Sequence, residues 1–286
     1  MPDVARGADL HVHTNLSDGT FAPEEVVRHA VERRLDAVAV TDHDITDGVS
    51  LAREAATDGL EIISGVELSA STISCCDDEL HLVGLFIDLS HAELQEHLVA
   101  WRRQRRERIV EMVRRLNDLG ISLRPDEIFE IAGAGAVSRL HVANALVRIG
   151  VARTVGGAFQ RWIGPGAPAF VRRSRPAAAA AIELIHRAGG VAVLAHPGAH
   201  VSDDDVASLA AMGLDGVEVF SGYHTPDMER RYAGLARRHG LLVSAGSDCH
   251  GMQRGTAAIG SVRLPAEGVE ALRRRAAEHA EKYLRG

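Results

Sequence analysis

The stretch Asp9-Leu10-His11-Val12-His13-Thr14 alternates apolar and imidazole side chains. In a strand successive side chains point to opposite faces, so His11 and His13 share one face while Leu10 and Val12 take the other. Burying the leucine and valine leaves two imidazoles side by side, a pairing suited to holding a metal ion. Alone, the pair is equally compatible with two histidines that happen to lie in a half-buried strand. The rest of the chain decides, because His, Asp and Glu recur wherever an apolar, strand-like run stops.

Working outward, Ala37-Val38-Ala39-Val40 runs into Thr41-Asp42-His43-Asp44, and Ile62-Ile63-Ser64-Gly65-Val66 ends on Glu67. A loop with Cys75, Cys76, Asp77 and Asp78 precedes a strand from Glu79 to Phe86 that carries His81. Further runs end at His196-Pro197-Gly198, at Phe220, and at Ser247-Asp248-Cys249-His250. Helices are expected near Pro23, from Val49 to Thr57, from Ala177 to Ala188, from Asp227 to His239 and from Ala266 to Leu284. Seven strand-like segments separated mainly by helices predict an α/β fold with a parallel sheet. An open doubly wound sheet would also place a site at its strand ends. A distorted, TIM-like (β/α) barrel of seven strands better explains donors converging on one centre from nearly every strand.

Residues 96–165 show helical periodicity broken at Gly120, Pro125, Gly133-Ala134-Gly135 and Gly150, with no convincing strand. They read as a small helical insertion, a cap, between the barrel's first part (1–95) and its second (166–286). Gly164-Pro165-Gly166-Ala167-Pro168 marks the return. The basic run Arg102 to Arg108 reads first as a solvated helix face, with a positive funnel as the alternative.

Composition bounds the rest. With 286 residues, 46% hydrophobic and 25% charged, the chain has the makeup of an ordered globular protein. Met1 to Gly7 has no apolar core of a signal peptide, no run is long enough to span a bilayer, and three cysteines suggest no disulfide framework. A cytoplasmic address is therefore expected, with no membrane role and no obligate protein partner. A net charge of −7 argues against indiscriminate nucleic-acid binding, though not against a local basic site.

The candidate ligands are His11, His13, Asp18, His43, Glu67, His81, His196, Asp248 and His250, six imidazoles and three carboxylates. Each has an ordinary alternative: His81 in an apolar strand could be core, Asp18 before Gly19 could shape a turn, and Asp248 could cap a segment. All nine falling on strand ends or the following loops favours a metal centre. No single ion takes nine donors, so two or three are implied, and mixed imidazole and carboxylate donors suit Mn²⁺, then Fe²⁺ or Zn²⁺. Asp42 and His224 are either proton donors to a leaving group or groups that orient a ligand, and Glu218 carries the same ambiguity. Arg139 and His141, at a helix start behind Ser138, suit a phosphate.

These motifs together, from Asp9–Thr14 through Ser17-Asp18-Gly19, Thr41–Asp44, Gly65-Val66-Glu67 and His81 to Ala195–Gly198 and Gly246–His250, resemble the polymerase and histidinol phosphatase (PHP) superfamily. The insertion and Val137-Ser138-Arg139-Leu140-His141 are similar to its 3′,5′-nucleotide bisphosphate phosphatase and RNase AM branch. The resemblance implies one ion at His11, His13, Glu67 and Asp248, a second at Glu67, His81 and His196, and a third at Asp18, His43 and His250. It also implies removal of the 3′-phosphate of nucleoside 3′,5′-bisphosphates, with trimming of short 5′-phosphorylated RNA on the same centre. Phe170 stands where the branch leads one to expect a tyrosine. Competing readings are a phosphatase of a small monoester such as histidinol phosphate, a proofreading-like nuclease module, and a non-enzymatic metal-binding protein.

Overall fold

The computed structural model describes residues 6–56, 59–71, 79–133, 135–173, 175–254 and 258–283. Seven strands follow one another round a single sheet in chain order: β1 (Ala8–Val12), β2 (Ala37–Val40), β3 (Glu61–Ser71), β4 (Glu79–Leu85), β5 (Val191–Leu194), β6 (Gly216–Ser221) and β7 (Leu242–Gly246). Beyond β7 the chain returns to β1: the Asp248 N–H donates to the His11 carbonyl at 2.9 Å, and the His13 N–H to the Cys249 carbonyl at 3.0 Å. A Cβ on Gly246 would lie 2.2 Å from that of His11, so this close approach requires glycine. The result is a nearly closed seven-stranded α/β barrel.

One expectation is corrected. The sheet is not all parallel, because β4 runs antiparallel to both β3 and β5. A parallel neighbour needs a crossover of about a dozen residues or more, and only residues 72–78 separate β3 from β4. Cys75, Cys76, Asp77 and Asp78 lie outside the described residues. The same pairing carries β3 past Glu67, its expected end, to Ser71. His81, near the start of the reversed strand, therefore reaches the end of the barrel where the parallel strands finish.

Helices α1 (Pro23–Glu32) and α2 (Asp47–Ala55) follow β1 and β2. Proline in the first turn of α1 gives up an N–H that has no helical partner, and the Glu25 carboxylate accepts the Ala22 N–H at 2.9 Å. After β4 come α3 (Ala92–Asp118), α4 (Pro125–Ala132), α5 (Arg139–Arg148) and a short α6 (Val155–Ala158). The remaining helices are α7 (Ala178–Arg187), α8 (Asp203–Ala211), α9 (Pro226–His239) and α10 (Ala266–Tyr283). Helix α10 crosses the N-terminal ends of the strands, where Val269 and Leu272 pack with Ala8 and Ala37 and Arg273 pairs with Glu61.

The 27 residues of α3 serve two cores. Leu94, Leu98 and Trp101 pack with Leu82, Ile182 and Leu194 of the barrel. Further along, Ile109, Met112, Val113 and Leu116 pack with Ile128, Val142, Leu146 and Ile163 in a separate cluster. No helix among the described residues is long and apolar enough to cross a membrane.

Candidate metal centre and adjoining cleft

His11 and His13 are fully buried, as are Leu10 and Val12, and their Nε2 atoms lie 3.0 Å apart. His11 Nδ1 lies 2.8 Å from Glu218 Oε1. A proton on Nδ1 donated to that carboxylate leaves Nε2 as the ligand atom, 3.6 Å from Glu67 and 3.5 Å from Asp248. His13 Nε2 stands 3.2 Å from Glu67 and 3.1 Å from Asp248. Glu67 is the hub: its Oε1 is 2.7 Å from His81 Nδ1 and 3.0 Å from His196 Nε2, and its Oε2 is 2.9 Å from His43 Nδ1. Asp18 completes the set, 3.0 Å from His250 and 3.8 Å from His43. All nine sequence-derived donors thus meet at one end of the barrel, in overlapping groups of three or four. The Asp18, His43 and His250 group also takes in His13.

The donor set fits metal ions on two counts. Glu67 Oε2, Asp248 Oδ1, His43 Nδ1 and His250 Nε2 are buried, and although each has an oppositely charged or imidazole neighbour within about 3.1 Å, none of those contacts has the geometry of a hydrogen bond. Such atoms are costly unless something completes them. Donors about 2.0–2.2 Å from one cation sit roughly 3.0–3.5 Å from one another, close to the contacts found here. Backbone strain accompanies the arrangement, since His196 (φ 27°) and Asp248 (φ 51°) both hold left-handed conformations.

Electrostatics agree. Burial alone would raise the Glu67 carboxyl, yet His43, His81 and His11 hold it well below the usual carboxylate range. Burial would likewise lower His13, but the Asp248 and Glu67 carboxylates beside it push it up to about 9. Burial prevails at His43, whose imidazole is lowered, but the carboxylates that hold a proton on His13 would draw a cation in the same way.

The other sequence candidates fall differently. Asp42 accepts the Thr14 N–H (2.7 Å), the Thr14 hydroxyl (2.6 Å) and the Ser17 hydroxyl (2.5 Å), so it builds the turn that carries Asp18. His224 is occupied at both ring nitrogens: Nδ1 lies 2.9 Å from the Val219 carbonyl, and Nε2 accepts the Gly198 N–H at 3.1 Å. It braces the loop that holds His196. The Glu218 Oε2 accepts the His196 N–H at 2.6 Å, so this one carboxylate steadies two of the nine. His141 is turned into its own helix start, where Nδ1 accepts the Ser138 N–H at 2.9 Å.

Arg139 instead lines a cleft of about 110 Å³, whose barrel side is Asp18, His43, Ser69 and His81 and whose far side includes Arg105 and Arg108. Its guanidinium lies near the rings of Phe159 (5.5 Å) and Phe170 (5.9 Å). The basic run of α3 divides by face: Arg103 pairs with Glu107 in solvent, Arg106 stacks on Phe129, and Arg105 and Arg108 turn into the cleft.

Sequence reading missed Asp44. Its Oδ2 accepts from Arg105 Nε at 2.5 Å and Arg173 Nη2 at 2.6 Å, and its carbonyl accepts from Arg102 at 2.9 Å. Burial opposes ionisation, but Arg105 and Arg173 hold the carboxyl at about 2. One side chain beside His43 therefore ties down both α3, through Arg105, and the segment that carries Arg173. Its place next to His43, with arginines three apart on α3, was the available signal.

Comparison with known proteins completes the assignment. The PHP domain model matches residues 9–126. A 5′-3′ exoribonuclease Rnm from Salmonella typhimurium is 37% identical over 252 residues, covering 85% of this chain and 84% of the relative. A 3′,5′-nucleoside bisphosphate phosphatase from Chromobacterium violaceum is 35% identical over 259 residues, covering 88% and 90%. A Bifidobacterium adolescentis structure assigned to the metal-dependent phosphoesterases superposes with a TM-score of 0.85 at 30% identity, covering 96% of this chain and 98% of that one. With a barrel, a convergent donor set and relatives of this length in agreement, the chain belongs to the PHP family of metal-dependent phosphoesterases.

Proposed function

We propose that the protein removes the 3′-phosphate of nucleoside 3′,5′-bisphosphates, giving the 5′-monophosphate, and trims short 5′-phosphorylated RNA at the same centre. The observation that carries this reading is the cleft itself: ligand-type side chains on one wall face arginines on the other. A substrate with a phosphate at each end matches both walls, and two relatives act on such nucleotides or on RNA by name.

In this reading all nine donors hold two to three divalent ions, Mn²⁺ first and Fe²⁺ or Zn²⁺ otherwise. Such ions supply Lewis acidity towards a phosphoryl group and acidify water near neutral pH. The chain does the rest. Glu218 fixes the tautomer of His11 and the backbone of His196, Asp42 sets the Asp18 turn, and His224 sets the His196 loop. Asp42 and His224 are thereby positioning residues. Residues 96–165 act as a cap whose Arg139, flanked by Phe159 and Phe170, takes the remote 5′-phosphate. His141 shapes the start of that helix rather than meeting substrate first. Remote binding of this kind orients the 3′-ester and lowers the barrier as well as tightening binding.

The test is a substrate panel with added Mn²⁺. Adenosine 3′,5′-bisphosphate should be hydrolysed about ten- to a hundredfold faster than adenosine 3′-monophosphate, the worth of one charge-assisted contact. Arg139→Ala should remove most of that preference and leave hydrolysis of an aryl phosphate nearly unchanged. Faster turnover of histidinol phosphate, or a variant that keeps its full preference, would replace this reading with that of a small-monoester phosphatase.

A further inference from the structure

We propose that Ser69 and Arg105 form the subsite that grips the phosphoryl oxygens of the reacting ester. The inference rests on the phosphoesterase chemistry of this cleft and not on which alcohol the phosphate leaves.

One residue, Leu68, separates Ser69 from Glu67, so the period of an extended strand puts both side chains on one face of β3. The cross-strand partner of Ser69 is His81. Ser69 is only 2% exposed, and its Oγ is buried with no hydrogen-bond partner among the described residues. A hydroxyl in that state loses its hydration and gains nothing in exchange. Yet it lines the cleft beside Asp18, His43 and His81, where a ligand would complete it.

Arg105 approaches the same space from the opposite wall. It is 8% exposed, which is rare for an arginine unless its charge is used. Asp44 holds its Nε at 2.5 Å, fixing the plane of the guanidinium. Asp44 in turn is held by Arg173 and by its own place beside His43, so the arginine is indexed to the donor cluster. A phosphoryl group in transfer spreads charge over three equatorial oxygens. Ions held by the carboxylate and imidazole side of the cleft would supply such a group with positive charge, while the serine hydroxyl and the guanidinium offer directed O–H and N–H donors. These are the preorganised donors that favour a transition state over a ground state. Arg139 serves the far phosphate and Arg105 the near one.

Ser69→Ala in the full chain, loaded with Mn²⁺, separates this role from packing. Removing an unpartnered hydroxyl should leave Tm unchanged or slightly raised, and metal content by elemental analysis unchanged. kcat/KM should fall about tenfold on an aryl phosphate and on adenosine 3′,5′-bisphosphate alike. Calorimetric titration with inorganic phosphate should show a matching loss of affinity. Arg105→Lys, which keeps the charge near Asp44 but loses the planar fork, should lower both rates further. Unchanged rates in Ser69→Ala would overturn the proposal, as would a loss of metal, which would make Ser69 part of the ion shell. A loss confined to the bisphosphate would also overturn it by moving the serine to the remote phosphate. Absence of any preference for bisphosphates in the native protein would refute the substrate reading above while leaving this test intact.

Discussion

Two clusters of histidine and aspartate stand at opposite ends of the barrel. At the strand ends nine donors crowd together, with Glu67 as their hub. At the other end, where β6 begins, Asp215 sits between His186 of α7 and His279 of α10. The residue types are the same and the spacing is as tight, but the bonding is not. Asp215 Oδ2 accepts from His186 (2.7 Å) and the Ala192 N–H (2.9 Å), and Oδ1 accepts from His279 (2.9 Å) and Arg275 (3.1 Å). The two imidazoles stack 3.8 Å apart. Every oxygen is already served by donors, one of them a guanidinium, so a metal ion would have to displace a cation and strip two protons. In the Glu67 cluster, by contrast, buried carboxylate and imidazole atoms stand close together without hydrogen-bond geometry, Glu67 Oε2 and Asp248 Oδ1 among them. What marks a metal site is therefore the unmet bonding of the group rather than its composition.

Substitution of the hubs breaks this comparison most sharply. Glu67→Gln should cost about 10³-fold in phosphoesterase activity and at least one bound ion per chain by elemental analysis after Mn²⁺ loading. Retention of metal and rate would erase the distinction between the two clusters. A smaller effect is expected one bond further out. Glu218→Gln, which weakens the hold on His11 and His196, should lower metal affinity or activity about 10–100-fold, with the fold intact by circular dichroism.

The smallest effect on catalysis should come from the far cluster. Asp215→Asn should leave activity per bound metal within about twofold but lower stability by roughly 3 kcal/mol, because a buried carboxylate leaves its partners unmatched. Its pH dependence sharpens the contrast. Burial would raise the Asp215 carboxyl, but hydrogen bonds from His186 and His279 outweigh it and hold the group well below its ordinary value of 3.8. A depressed carboxylate contributes stability that is present above the unfolded value and lost as pH falls through the folded one. The Tm gap between native protein and variant should therefore be full near neutrality and shrink below about pH 4. A gap that persists unchanged in acid would mean that the carboxylate's charge is not what holds α7 and α10 together.

How much of this was legible in the sequence depends on distance along the chain. His11 and His13 needed only the period of one strand, and the donors after β2, β5 and β7 needed only the end of an apolar run. Ser69 was hidden because β3 was expected to stop at Glu67, and nothing local says that a strand continues once its partner has turned back. The reversal of β4 was likewise a matter of the short connection before it, not of its own residues. Contacts between remote segments were least visible. Glu218 meets His11 across 207 residues and Arg173 meets Asp44 across 129. Local pattern shows that a carboxylate lies at a strand end, but only closure of the barrel shows which imidazole or guanidinium it faces. The basic run of α3 illustrates the middle case, since its charge was plain while the division between solvent and cleft was set by which side packs.

Helix α3 also bears on how such a protein can change over evolutionary time. Because Leu98 and Trp101 belong to the layer between the barrel strands and their helices, and Ile109 and Met112 to the neighbouring cluster, the two clusters share one continuous rod. A recombination event that exchanged residues 96–165 as a cassette would carry away part of the barrel's own packing along with the roof of the cleft. New substrate preferences are then reached more readily by point changes on the cleft wall, at positions such as Arg139 or Phe170, than by swapping modules. In this architecture the helical cluster is not a detachable part.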